Sequence, residues 1–204
     1  RKDLKDWSGL GLAIQAYGKR APVVVKFIDE LGANRNGMMM RLVKGAYWDQ
    51  EIKIHQIKGA ADLPVFTSKS FTDLNYLSTA KIISETKNLR PYFATHNAHT
   101  IAGIMQLYQG REDQFEFQRI FGMGDLTYRN AQKVYSDFPL TRVYAPVGSK
   151  KELLPYLVRR LLENGANSSF VNKYLSKDIS VKDVVKNPIE IATKNLSGKN
   201  FLKQ

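Results

Sequence analysis

Two adjacent arginines, Arg159 and Arg160, stand in Tyr156-Leu-Val-Arg-Arg-Leu-Leu-Glu-Asn-Gly-Ala-Asn167, a run otherwise rich in leucine, valine and alanine. On a helix, residues three or four apart share a face. Tyr156, Arg159, Arg160 and Glu163 therefore crowd one side, just above Asn167. Leu157, Leu161 and Leu162 serve another side. A packed helix brings two guanidinium groups together where an anion, a carboxylate or a phosphate, meets them. The plainer reading of the same pair is a surface helix with solvated arginines. The rest of the chain has to decide between the two.

Composition narrows the chemistry. The 204 residues suffice for one domain with a sizeable core, and 43% hydrophobic with 25% charged residues is ordinary for a globular protein. There are no cysteines, which excludes disulfides, thiolate metal sites and cysteine nucleophiles. No apolar run approaches the ~20 residues of a membrane-spanning helix. The net charge of +12 invites a nucleic-acid or anionic-membrane reading. Against it, the lysines are spread out, seven of them lie from Lys173 onward, and no helix-turn-helix, zinc-finger or RNA-binding motif is present. A solvated lysine-rich surface is the default, with no nucleic acid expected from this region.

The elements that must position the arginines alternate. Short strand-like runs are expected at Leu10–Tyr17, Met39–Tyr47, Pro64–Ser68, Pro91–Thr95, Phe115–Phe121 and Thr141–Pro146. Amphipathic helical stretches are expected near Ala21–Leu31, Asp49–Gly59, Asp73–Thr86, Ala98–Tyr108, Leu126–Ser136 and Lys151–Glu163. A strand start every ~25–30 residues argues for βα units and a parallel sheet. The carboxyl ends of the six expected strands are polar. They carry Gln15 and Tyr17, Lys44 and Tyr47, Thr67 and Lys69, Thr95-His96-Asn97, Gln118, and Tyr144. A (β/α)8 barrel builds its site at that end of every strand, whereas a doubly wound sheet uses mostly one switch point. The distribution favours the barrel. No G-x-G-x-x-G or G-x-x-x-x-G-K-[ST] is present, so dinucleotide and Walker-type phosphate loops lack support. His96 and His99, three apart, lack a third metal ligand in suitable spacing, and no metal site is assigned. His96 suits a polar cofactor contact or a helix start. After Phe170 the chain turns polar and lysine-rich, with a short helical stretch at Pro188–Lys194; residues 171–204 read as a linker or docking tail.

Five segments then carry a resemblance: Arg41-Leu-Val-Lys-Gly-Ala-Tyr-Trp-Asp49, Phe93-Ala-Thr-His-Asn-Ala-His99, Phe115-Glu-Phe-Gln118, Arg142-Val-Tyr-Ala-Pro-Val-Gly148 and Tyr156–Asn167. Together, over about Gly9 to Asn172, they resemble proline dehydrogenases, and more specifically the proline dehydrogenase domain of bifunctional proline utilization A proteins. The resemblance implies an FAD-dependent (β/α)8 TIM-like barrel. It implies oxidation of L-proline to Δ1-pyrroline-5-carboxylate, with electrons passed to a membrane quinone. It further implies a cytoplasmic protein able to associate with the inner face of the cell membrane, and an aldehyde dehydrogenase domain in the same polypeptide.

The same resemblance implies roles. Arg159 and Arg160 would grip the proline carboxylate, with Tyr144 and Tyr156 closing the pocket around the ring. Arg41 would lie near flavin N5, the catalytic position that receives the hydride. Gln15 and Gln118 would hydrogen-bond the flavin or hold its shape; strand-end capping is the alternative. Val43, Gly45, Ala46 and Tyr47 would line the cofactor, and Trp48 would wall the site. Thr67, Lys69, Thr95, His96 and Asn97 would serve its phosphate and adenosine half. Glu163 would pair with an arginine or touch the cofactor. The first strand, Leu10–Tyr17, resembles the third of the family's barrel, so strands 3–8 are expected in residues 1–170. Six strands cannot close an eight-stranded barrel. The chain is therefore expected to be a fragment of a longer polypeptide, catalytically inactive on its own.

Overall fold

Pro22, in the first turn of a helix where its missing N–H costs nothing, starts the first helix after the first strand. That unit repeats. A computed structural model describes residues 7–35, 37–165 and 187–197, with the side chains of 163–165, 188 and 197 not described. In order these are β1 (Gly11–Gln15), α1 (Ala21–Ala33), β2 (Met38–Val43), α2 (Trp48–Ile57), α3 (Lys69–Ser84), β3 (Leu89–Ala94), α4 (Ala98–Leu107), β4 (Glu116–Ile120), α5 (Asp125–Val134), β5 (Thr141–Tyr144), α6 (Lys150–Gly165) and α7 (Pro188–Ser197). The five strands form one sheet in sequential order, every neighbouring pair parallel. A parallel pair needs a crossover, and α1, α4 and α5 each supply one, as does the α2–α3 pair.

The parallel register assigns the two faces. Ile14, Leu42 and Phe93 lie side by side, as do Met40 and Pro91. These point toward the helices, where Val25, Ile28, Tyr76, Ala80, Ile83, Ile101 and Ile104 meet them in the core. An aromatic cluster closes the β4 end, with Phe93, Tyr108 and Phe115 edge-on or tilted at 4.6–5.6 Å and Phe117 stacked on Phe138 at 5.4 Å. The other face of the sheet carries Arg41, Tyr92 and Glu116 in one row and Ala94, Gln118 and Arg142 in the next. Alternation of buried and part-exposed residues along β2 follows from this two-faced placement.

One expected strand is absent. Pro64–Ser68 is a connection, not a strand, so the sheet has five strands and five polar strand ends rather than six. Its backbone groups pair instead with the loop after β1: Lys19 N–H donates to Pro64 O at 2.9 Å and Phe66 N–H to Tyr17 O at 2.8 Å, around an antiparallel bridge of Gly18 with Val65. With β2 paired directly to β3, the parallel ladder has no place for this segment between them. Among the described residues the partial barrel therefore holds five strands rather than the six expected. β2 also ends earlier than expected, at Val43, and the helix expected from Asp73 starts at Lys69. The expected boundary near 170 lies outside the described residues. Of the expected tail, α7 packs on α3, with Ala192 buried and Asn195 Nδ2 donating to Ser70 Oγ at 3.0 Å.

Candidate active site

Arg41 stands on β2, on the sheet face turned away from the helices, and three elements fix it. Its Nε donates to Gln118 Oε1 of β4 at 2.7 Å. Its guanidinium lies over the Tyr144 ring of β5, 4.8 Å from the centroid. Gln118 in turn donates from Nε2 to Glu116 Oε1 at 2.8 Å. Glu116 accepts both Nε and Nη2 of Arg142, each at 2.8 Å. Burial opposes a charge on Glu116, but the hydrogen bonds from Arg142 and Gln118 outweigh it and hold the carboxyl below its usual range. Cation, amide, anion and cation thus run in line across β2, β4 and β5.

α6 brings the arginine pair. Ser149 and Glu152 make a capping box at its start: Ser149 N–H donates to Glu152 Oε2 at 2.9 Å, and Glu152 N–H returns to Ser149 Oγ at 3.4 Å. This sets where the helix begins and hence where its third turn points. Arg160 sits over Tyr156, 5.5 Å from the ring centroid. Its charge reaches Tyr144 and His96, where it counts among the causes of their shifts. Arg159 goes elsewhere: it is exposed and lies 5.8 Å from the Tyr47 ring centroid. The two guanidinium groups are thus held by different aromatics. The Tyr156 hydroxyl is buried without a hydrogen-bond partner among the described residues. A buried hydroxyl without a partner there is costly, and beside Tyr144 and Arg160 it suits an anionic ligand.

The loop after β3 is largely occupied by its own structure. Asn97 caps α4, its Oδ1 accepting from Thr100 N–H at 3.0 Å. Thr95 Oγ1 accepts from Asn97 N–H at 3.1 Å, and Thr95 O from Tyr128 Oη–H at 2.9 Å. His96 Nε2 accepts the Ile120 N–H at 3.1 Å, so its Nδ1 carries the ring proton. Burial, then the charges of Arg160, Arg119 and Arg41, push its pKa down to about 4. The helix-start role falls to Asn97, not His96.

The loop after β2 carries Gly45, Ala46 and Tyr47, with Trp48 opening α2. Gly45 has φ +124°, and a Cβ there would come 1.9 Å from the Tyr17 ring. The indole of Trp48 donates to Phe66 O at 2.6 Å, which ties this loop to the 64–68 segment. Val43 ends β2, part-buried on the face away from the helices, and Gln15 ends β1 beside the Tyr17 hydroxyl. Thr67 and Ala46 are exposed. Lys69 begins α3 and pairs with Asp73 at 2.6 Å, while Asp73 also pairs with Lys44. Burial opposes charge on Asp73, but the two lysines outweigh it and keep its carboxyl below the usual range; burial lowers the Lys44 pKa despite Asp73. The Glu163 side chain lies outside the described residues.

The structure therefore draws Arg41, Gln118, Tyr144, Tyr156, Arg160 and His96 into one cluster at the carboxyl ends of the strands. It leaves Thr67, Ala46 and Arg159 nearer the rim. Lys44 and Asp73 join this end as an ion pair, while Glu116, the first residue of β4, and Arg142, the second of β5, sit deeper on the same sheet face as Arg41, and neither had a role assigned from the sequence. Glu116 and Arg142 had a signal, since each lies two residues before an assigned residue, Gln118 or Tyr144, on the same strand face.

Known proteins are similar to this chain in sequence and fold. The family model described as proline dehydrogenase matches residues 1–173. "Bifunctional protein PutA" of Salmonella typhimurium is 46% identical over 202 residues, covering 94% of this chain and 15% of that protein. "Proline dehydrogenase 1" of Bacillus subtilis is 32% identical over 180 residues, covering 87% of this chain and 52% of that protein. A crystal structure of a Bradyrhizobium japonicum proline utilization A (PutA) variant superposes with a TM-score of 0.87 at 46% identity, over 95% of this chain and 20% of that one. The chain thus spans a minor part of its PutA relatives and about half of the Bacillus one. With the matched model covering most of its length, the chain belongs to the proline dehydrogenase family.

Proposed function

We propose that this chain supplies the substrate-binding part of an FAD-dependent L-proline dehydrogenase that forms Δ1-pyrroline-5-carboxylate. The carrying observation is the convergence of Arg160, Tyr156, Tyr144 and Arg41, with the buried Tyr156 hydroxyl lacking a partner among the described residues. A hydrogen bond to a charged group contributes about 1.5–3 kcal/mol. Two such bonds to a carboxylate come close to the ~4 kcal/mol of millimolar affinity. A small amino acid with one full negative charge is held well enough by Arg160 with the Tyr156 hydroxyl. Tyr144 walls the ring, with Arg41 behind it. Arg159 reaches the same carboxylate only by leaving Tyr47, so Arg160 carries the larger share.

The donor set also fits a flavin. Arg41 offers a fixed cation, and Gln15, Gln118, Trp48 and the backbone of Gly45 to Tyr47 offer hydrogen bonds and apolar walls at the strand ends. Lys44, Lys69 and the Thr95–Asn97 loop offer the polar groups for its phosphate and adenosine half. When bound, FAD supplies the acceptor for the hydride leaving the ring carbon next to nitrogen. Arg41 holds positive charge where negative charge grows. The Tyr144 phenol stays protonated, since burial raises its pKa.

Quinone as final acceptor, cytoplasmic location with peripheral contact to the membrane's inner face, and a linked aldehyde dehydrogenase domain complete the reading. No helix among the described residues is long and apolar enough to cross a membrane. The reading also keeps residues 1–170 as the barrel part and 171–204 as a link to a following domain. The test is L-proline-dependent dye reduction by the full-length protein containing this chain. A flavin spectrum and reduction that saturates with proline support the proposal. A flavin-free protein, or one indifferent to proline, overturns it.

A further inference from the structure

Gln118 sits between a carboxylate and a guanidinium, and its amide can face either way. One end donates two hydrogens and the other accepts. In this structure the NH2 group meets Glu116 at 2.8 Å and the oxygen meets Arg41 at 2.7 Å. The ordering follows from charge. An ionised carboxylate only accepts, so it turns the NH2 group toward itself and leaves the oxygen for Arg41. Glu116 is well placed to stay ionised. Its side chain is 7% exposed, and Arg142 grips both its oxygens. The Arg142 side chain is 58% exposed, so the anchor is tied from the solvent side. Without the anion the amide loses its reason to point one way. Its NH2 group can then face Arg41, donor against donor, and the guanidinium would leave its seat over Tyr144.

We propose that Glu116 is a positioning residue: by fixing the Gln118 amide it aims the Arg41 guanidinium at the reacting end of the site. Glu116 reaches Arg41 only through Gln118. The inference rests on Arg41 acting in the reaction, but the amide ordering itself does not depend on it.

Removing and keeping the anion tests it. In the flavin-loaded full-length protein, Glu116→Gln should lower kcat about 10-fold with proline KM changed by less than about 3-fold, and Glu116→Asp, which keeps the anion, should lower kcat less. An unchanged kcat in Glu116→Gln, or equal losses in Glu116→Gln and Glu116→Asp, overturns the proposal. A second readout needs no catalysis. In flavin-free protein, urea midpoints of Glu116→Gln, Arg41→Met and their combination should be non-additive, the combination losing little beyond the worse single variant. Full additivity overturns the coupling. If the parent itself shows no proline-dependent reduction, the functional reading fails while the urea cycle still decides the amide ordering.

Discussion

Arg160 and Arg159 differ by one position and by about 100° around α6, and that difference separates their roles. Arg160 is part-buried over Tyr156, while Arg159 is exposed against Tyr47. Arg160→Met is expected to raise the proline KM roughly 10–100-fold, from the loss of a charged hydrogen bond. Arg159→Met should raise it less, and steady-state kinetics on both variants checks the order. Gly45 makes a second prediction at this scale. Its φ of +124° and the Tyr17 ring 1.9 Å from a built Cβ leave no room for a side chain. Gly45→Ala should cost about 2–4 kcal/mol in urea unfolding, combining backbone strain with overpacking. His96 adds a pH dependence. Its folded pKa, about 4, lies below the ordinary 6.5, so the unfolded chain takes up the proton first on acidification. The stability it contributes is complete above pH 6.5 and is lost as pH falls toward 4. Between pH 7 and pH 5 the loss should be about 1–2 kcal/mol, and His96→Gln should remove it.

At the scale of elements, α3 locks the strand ends. Asn75 Nδ2 donates to Ala16 O at 2.8 Å and to Gly18 O at 3.2 Å, holding the loop after β1. The buried Tyr76 hydroxyl donates to Leu42 O at 3.2 Å and lies 3.4 Å from Ala94 O, bridging the ends of β2 and β3. Asn75→Ala should therefore cost about 1–3 kcal/mol, leaving the buried Ala16 carbonyl short of this donor while Gly18 O keeps Ala21 N–H, as thermal unfolding can measure. Much of this layout was legible beforehand. Arg41, Gln118 and Tyr144 lie within continuous segments, and period-2 alternation puts each on a definite strand face. Pro64–Ser68 misled because its β-like composition is satisfied by a long-range bridge to Gly18, which no local pattern reveals. Glu116 and Arg142 lacked a role because their pairing follows from the β4–β5 register, a non-local fact. The divergence of Arg159 from Arg160 needed the position of Tyr47, over a hundred residues away in sequence.

At the scale of the whole molecule, the five parallel strands form an arc of a barrel with β1 and β5 as its edges among the described residues. Large apolar side chains stay exposed near both edges: Leu12 at β1, and Leu161 and Leu162 on α6, the last two 71% and 68% exposed. The candidate site lies toward the arc's carboxyl ends, where Arg41 from the sheet and Arg160 from α6 both act on Tyr144. The most direct measurement is anaerobic mixing of L-proline with the flavin-loaded full-length protein, followed by flavin absorbance. The account predicts bleaching that saturates with proline and needs roughly 10–100 times more proline in Arg160→Met. Bleaching with the same proline dependence in both proteins, or none in the parent, would contradict it.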